Sequence, residues 1–171
     1  MIEDTLVGFV FAFVKILVTI VLSLGAAYSG ISFLDKLTRG IDEWKEIKKG
    51  NLAVGVLYSA VILSLALLVM PRIEDFVMYV APNANVSTAF YSLAVTFVNY
   101  LLSLFLGVFF IYLTINLLDY VTTDLDEMDA LKKGNVTVAL IMAVVIISVM
   151  IVARFPFENI FVLLKSVEGI L

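Results

Sequence analysis

The sequence predicts an all-α integral membrane protein. Four transmembrane helices are expected as two parallel two-helix repeats, with amphipathic cytoplasmic extensions and interfacial helices at their ends. Three observations carry this expectation. The first is composition: 63% of the 171 residues are hydrophobic, only 15% are charged and mean hydropathy is +1.11, far from the balance of a soluble domain. The second is four apolar runs, 6–34, 52–70, 86–118 and 136–153, each long enough as helix to cross a hydrocarbon core of roughly 30 Å. The third is an internal duplication. Ile41-Asp42-Glu43-Trp44-Lys45-Glu46-Ile47-Lys48-Lys49-Gly50-Asn51 returns as Leu125-Asp126-Glu127-Met128-Asp129-Ala130-Leu131-Lys132-Lys133-Gly134-Asn135, an offset of 84 residues. The same offset pairs Tyr28 with Tyr112, Asp35 with Asp119, Ser64 with Ser148 and Glu74 with Glu158. A period this long marks a duplicated module, not a solenoid. Residues 1–82 form the first two-span repeat and 83–171 the second, together one compact membrane domain.

Composition also narrows the chemistry. The chain has no Cys and no His, which removes disulfides, thiolate nucleophiles and the commonest catalytic base and metal ligand. A net charge of −4 and a pI near 4.7 argue against nucleic acid as a partner. The lipid bilayer is the expected partner, no cofactor or metal is expected, and the protein is expected not to be an enzyme. Met1-Ile2-Glu3-Asp4 is acidic where a cleavable signal would be basic, so the first apolar run is expected to stay in the protein.

Taken in order, the first run contains one charge, Lys15. It is either one tilted span or an interfacial opening followed by a span from about Ile16, with Lys15 snorkelling to the boundary. From Asp35 to Lys49 apolar residues recur at helical spacing among charges of both signs, the pattern of an amphipathic helix. Lys48-Lys49 then Gly50 reads as a helix end, with cations at the negative pole of the dipole and glycine at the stop. Asn51 suits the N-cap of the next helix. The signature is thus a helix–stop–start device, read either as a turn between spans or as a binding site.

The second run ends at Pro71-Arg72, after which Ile73, Phe76, Val77 and Val80 share one face of a short interfacial helix. Residues 81–85 are turn-rich and separate the repeats, and Asn85-Val86-Ser87 is a chance-prone glycosylation triplet. The second repeat follows the same plan, ending in an amphipathic tail after Arg154-Phe155-Pro156. The two signature segments hold seven of the eleven Lys and Arg residues and the opposite side three, which places the signatures in the cytoplasm and both termini outside.

No phosphate loop, zinc motif or nucleophile elbow occurs. Asp35 and Asp119 stand at equivalent positions where the apolar runs end, either as ion- or proton-coupling acids or as wetted interfacial acids. In the first span Ser23, Gly25, Ala26, Ala27, Ser29 and Gly30 give stacked small-residue pairs. Such pairs let helices approach closely, so Gly25, Ala26 and Gly30 are the expected helix-packing residues.

The signature Glu-x-x-x-x-Lys-Lys-Gly-Asn, carried by Glu43, Lys49, Gly50 and Asn51 and by Glu127, Lys133, Gly134 and Asn135, resembles domain of unknown function family 350. The resemblance covers almost the whole chain. It implies a small inner-membrane protein of bacteria or archaea, built from a two-span module in tandem, with no activity attached. The second copy departs after the signature, with Thr137 and Ala139 where Ala53 and Gly55 stand in the first. Two functions remain open: a scaffold that forms a homo-oligomer or joins a larger membrane complex, and a small channel or transport module.

Overall fold

The computed structural model describes residues 2–37, 41–80, 86–122 and 126–168. Every element in them is helical: α1 (Ile2–Leu37), α2 (Glu43–Lys48), α3 (Leu52–Met78), α4 (Val86–Val121), α5 (Glu127–Lys132) and α6 (Val136–Glu168). Helices α1, α3, α4 and α6 are long and apolar enough to cross a membrane. The short α2 and α5 occupy matching places between them.

Side-chain neighbours fix the directions of the spans. Gly30 of α1 lies over Val61 and Leu65 of α3, and Thr19 shares a groove with Ile73 and Val77, so α1 and α3 are antiparallel. Gly107 of α4 lies over Leu65 and Leu68, and Phe97 meets Phe76 edge-on, so α4 is also antiparallel to α3. Phe110 packs edge-on against Phe157 at 5.0 Å, while Leu117 and Val121 share a groove with Val145 and Val149. Thus α6 runs against α4 and alongside α3. The two hairpins therefore enter in the same sense, as parallel repeats.

Burial is uneven. Of the most apolar stretch of each span, 56% of α3 is buried, 39% of α6, 33% of α4 and 6% of α1. Helix α3 packs against all three other spans and forms the centre of the bundle. The small residues of α1 are used inside the chain. A Cβ at Gly30 would lie 2.7 Å from Leu65 Cδ1, and one at Gly25 would lie 3.3 Å from the Tyr100 hydroxyl. Ala26 is buried with Val69, Ile73 and Tyr100. The Tyr100 hydroxyl also donates to the Leu22 carbonyl (2.7 Å), tying α4 to α1.

Two helix ends differ from the sequence expectation. Pro71 does not end the second span: α3 passes through it to Met78. Proline removes one hydrogen bond and crowds the carbonyl four residues back. The turns beyond it are held by other contacts, since Ile73 is buried, Phe76 meets Phe97, and buried Arg72 pairs with Asp75 at 3.1 Å. Helix α6 passes through Pro156 in the same way, with Phe157 buried and Arg154 bonded to Glu158 at 2.8 Å. The amphipathic segments on this side are thus the last turns of the spans. On the signature side, Asp35 belongs to α1 and the charged helix begins only at Glu43. The side chains of Asp35 and Glu43, the linker with Asn85, and the tail side chains beyond Asn159 lie outside the described residues.

Candidate functional site

Each signature folds by local rules. Asp42 accepts a hydrogen bond from the Lys45 amide (3.1 Å) and Asp126 one from the Asp129 amide (2.8 Å), capping α2 and α5. Both helices then end in a Schellman turn. The Gly50 amide donates to the Ile47 carbonyl (2.9 Å) and the Asn51 amide to that of Glu46 (3.0 Å). In the second copy Gly134 donates to Leu131 (3.0 Å) and Asn135 to Ala130 (2.9 Å). Gly50 sits at φ 82° and Gly134 at φ 76°, the left-handed region where a Cβ is strained. The next residue starts the following span: Asn51 Oδ1 accepts from the amides of Ala53 (3.1 Å) and Val54 (3.3 Å), and Asn135 Oδ1 from those of Thr137 (3.1 Å) and Val138 (3.3 Å). Backbone and caps are thus the same in both copies.

The two asparagines differ in their amide groups. Asn51 Nδ2 donates to the Leu131 carbonyl (2.9 Å) and the Lys132 carbonyl (3.5 Å) at the end of α5. It also donates to Glu46 Oε2 (3.2 Å), while Glu46 Oε1 accepts from Lys49 Nζ (2.6 Å). These bonds from Lys49 and Asn51 hold the Glu46 carboxyl below its usual range. The first stop–start device is therefore bonded to the second across a separation of 80 residues in sequence. The Asn135 amide is exposed and donates to no described residue, and the position matching Glu46 is Ala130, which has no carboxylate to orient it.

Glu127 is the one buried acid among the described residues, 3% exposed, against the end of α4. It is hydrogen-bonded through Oε1 to the Thr122 hydroxyl, and Oε2 has no partner. The Thr122 hydroxyl also donates to the Leu118 carbonyl (2.7 Å). Burial, and after it the neighbouring Asp119 carboxyl, raises the Glu127 pKa. Asp119 itself is exposed at the end of α4. The structure thus brings Asp119 and Glu127 together. Lys133 is paired with Asp129 on the surface, and its pKa is raised by that bond.

Two features escaped the sequence reading. Thr96, Asn99, Ser103 and Thr114 form a buried polar row on α4, and the Ser103 hydroxyl, like that of Ser64 on α3, has no partner. Their helical spacing was the available signal. On the side away from the signatures, Arg72, Glu74, Asp75, Arg154 and Glu158 line one charged groove of about 510 Å³. Among the described residues no three acidic side chains converge as a metal site.

Four apolar helices in two co-oriented pairs, each pair joined by a helix–stop–start device, define a multi-pass α-helical membrane protein. The chain belongs to the DUF350 family (Domain of Unknown Function), whose pattern it matches over residues 5–149 and again, overlapping, over 91–165 as a repeated unit would. Neither a search of curated proteins nor a search of solved structures finds a match.

Proposed function

We propose that the protein is a non-enzymatic scaffold of a prokaryotic inner membrane, present as a homo-oligomer or as a subunit of a larger membrane assembly. The observation that carries this reading is the Asn51 bond to the end of α5. It makes the signature a joint between modules rather than a set of free reactive groups. The same reading places the signatures in the cytoplasm, following the Lys and Arg distribution. Purification in mild detergent tests it: the particle should be larger than a lone 18.9-kDa chain, holding further copies or other subunits, whereas a lone monomer at every detergent concentration would overturn it. Single cysteines at Ser87 and Thr123 should label from opposite sides of intact cells.

A second reading, a small conduction module, draws on the buried polar row of α4, on buried Ser64 of α3 and on buried Glu127. Proteoliposomes separate the two. Ion flux that Ser103→Leu abolishes would favour conduction, and its absence favours the scaffold.

A further inference from the structure

The two repeats are packed head to tail, and each leaves half of that interface open. In α3 the face made by Ala53, Leu57, Ala60, Ser64 and Leu68 is 0–4% exposed, with Ala60 beside Ala143 of α6 and Leu68 against Gly107 of α4. The matching face of α6 is Thr137, Ile141, Val144, Ser148 and Val152. It is exposed along its whole length, with Ile141, Val144 and Val152 at 58%, 60% and 73%.

The reverse holds for the complementary face. In α6 the row Ala139, Ala143, Ile146 and Met150 is buried, and Ala143 borders a groove beside Ala60 of α3. Its counterpart on α3 is Gly55, Ser59, Ile62 and Ala66, half-exposed or exposed, and Gly55 and Ser59 line that groove of about 420 Å³. A two-fold related pair would bury the same face twice. Here one face of the first repeat meets a different face of the second, which is a heterologous contact and leaves one copy of each face unused.

The open faces carry more than lipid requires. Helix α4 buries Asn99, Ser103 and Gly107 against its neighbours, whereas the matching α1 residues Lys15, Thr19 and Ser23 are open or half-exposed. Among the described residues the Asn135 amide has no acceptor, in a cap whose other bonds match those of Asn51. Charge agrees as well: residues 35–51 carry five basic and four acidic side chains, residues 119–135 two and five. In a head-to-tail row each acid-rich signature therefore lies between basic-rich ones.

We infer that a second copy of this chain docks its first repeat on the exposed α6 face. That contact reproduces between chains the one the two repeats make within a chain, and Asn135 donates to the Ile47 and Lys48 carbonyls of the neighbour. The inference rests on the scaffold reading and gives it a surface and a direction. Such contacts propagate until the rotation closes a ring.

The test uses the full Cys-free chain in native membranes. Ala60 and Ala143 share a groove within the chain, so their equivalents Val144 and Ser59 should meet between chains. Oxidised Ser59→Cys/Val144→Cys should give dimers and higher multiples, while either single cysteine and a lipid-facing Tyr28→Cys/Val144→Cys pair should not. Asn135→Asp keeps the cap acceptor and loses the amide donor. It should lower crosslinking roughly two- to tenfold, with helix content unchanged. A ladder no stronger than the Tyr28→Cys control would overturn the inference. With that outcome, a wild-type particle that is still multimeric leaves the scaffold reading standing, and a monomeric one removes both.

Discussion

Helices α3 and α6 stem from the same duplicated segment, begin with the same capped asparagine and run in the same direction, yet their environments differ. Helix α3 is enclosed on two faces, by α1 on one side and by the second repeat on the other. Helix α6 keeps the equivalent of the second face open. Position in the bundle, more than sequence, makes one helix a core element and the other a surface element. The same residue type at matched positions therefore has different energetic weight.

The largest expected effect tests that contrast directly. Leu57→Ala should lower the stability of the single chain by on the order of 2–4 kcal/mol, because the cavity opens in a closed interface. The matched Ile141→Ala should change it by under about 0.5 kcal/mol. Thermal midpoints of monodisperse chains in detergent would read both, and equal costs would break the comparison.

The shared part of the repeats gives the next effect. Gly50→Ala and Gly134→Ala should each cost about 1–2 kcal/mol from the left-handed backbone alone. No heavy atom lies within 4 Å of an added Cβ at Gly50, and only Asn51 Oδ1, at 3.8 Å, near one at Gly134. Smaller again is the asparagine pair. Asn51→Asp should cost the single chain about 1 kcal/mol through its lost bond to α5. Asn135→Asp should be silent there, since both retain the cap.

The smallest effect concerns Glu127, and its sign follows from a raised folded-state pKa. A carboxyl raised on folding contributes stability that is fully present below its unfolded pKa and is lost as pH rises through the folded one. The thermal midpoint should therefore fall as pH climbs from acid through the upper carboxylate range. Glu127→Gln should flatten that fall and leave the chain more stable at neutral pH. A midpoint that rises with pH in wild type, or is unaffected by the substitution, would contradict the assignment.

The duplication, the four spans, the parallel sense and the stop–start turns were all legible from residues. Each rests on local chemistry: apolar length, glycine after a basic turn, asparagine before an apolar run. What was not legible is which side of each helix faces inward. In water an apolar stripe marks the buried face, but lipid is as apolar as the core, so Leu57 and Ile141 look alike in sequence. The continuity of α3 through Pro71 escaped for a related reason, because the contacts that hold it come from Phe97 on another helix. Asp119 was visible as an acid at a span end. That its neighbour Glu127 would be buried depended on how α5 folds back, which no local pattern encodes.

Leu65 has a consequence of a different kind. One of its methyl groups fills the space a Cβ would need at Gly30 and the other the space one would need at Gly107, so that an added Cβ would lie only 2.7 and 2.8 Å from them. Three helices from both repeats therefore share a single unit of volume. The three positions cannot drift independently: an alanine at Gly30 is a clash beside leucine and becomes admissible beside a smaller residue at 65. Substitutions there should be strongly non-additive, unlike pairs on the outer faces. The two halves of the duplication, free to diverge in charge and in their exposed surfaces, are thereby bound to a common mutational history at this one point.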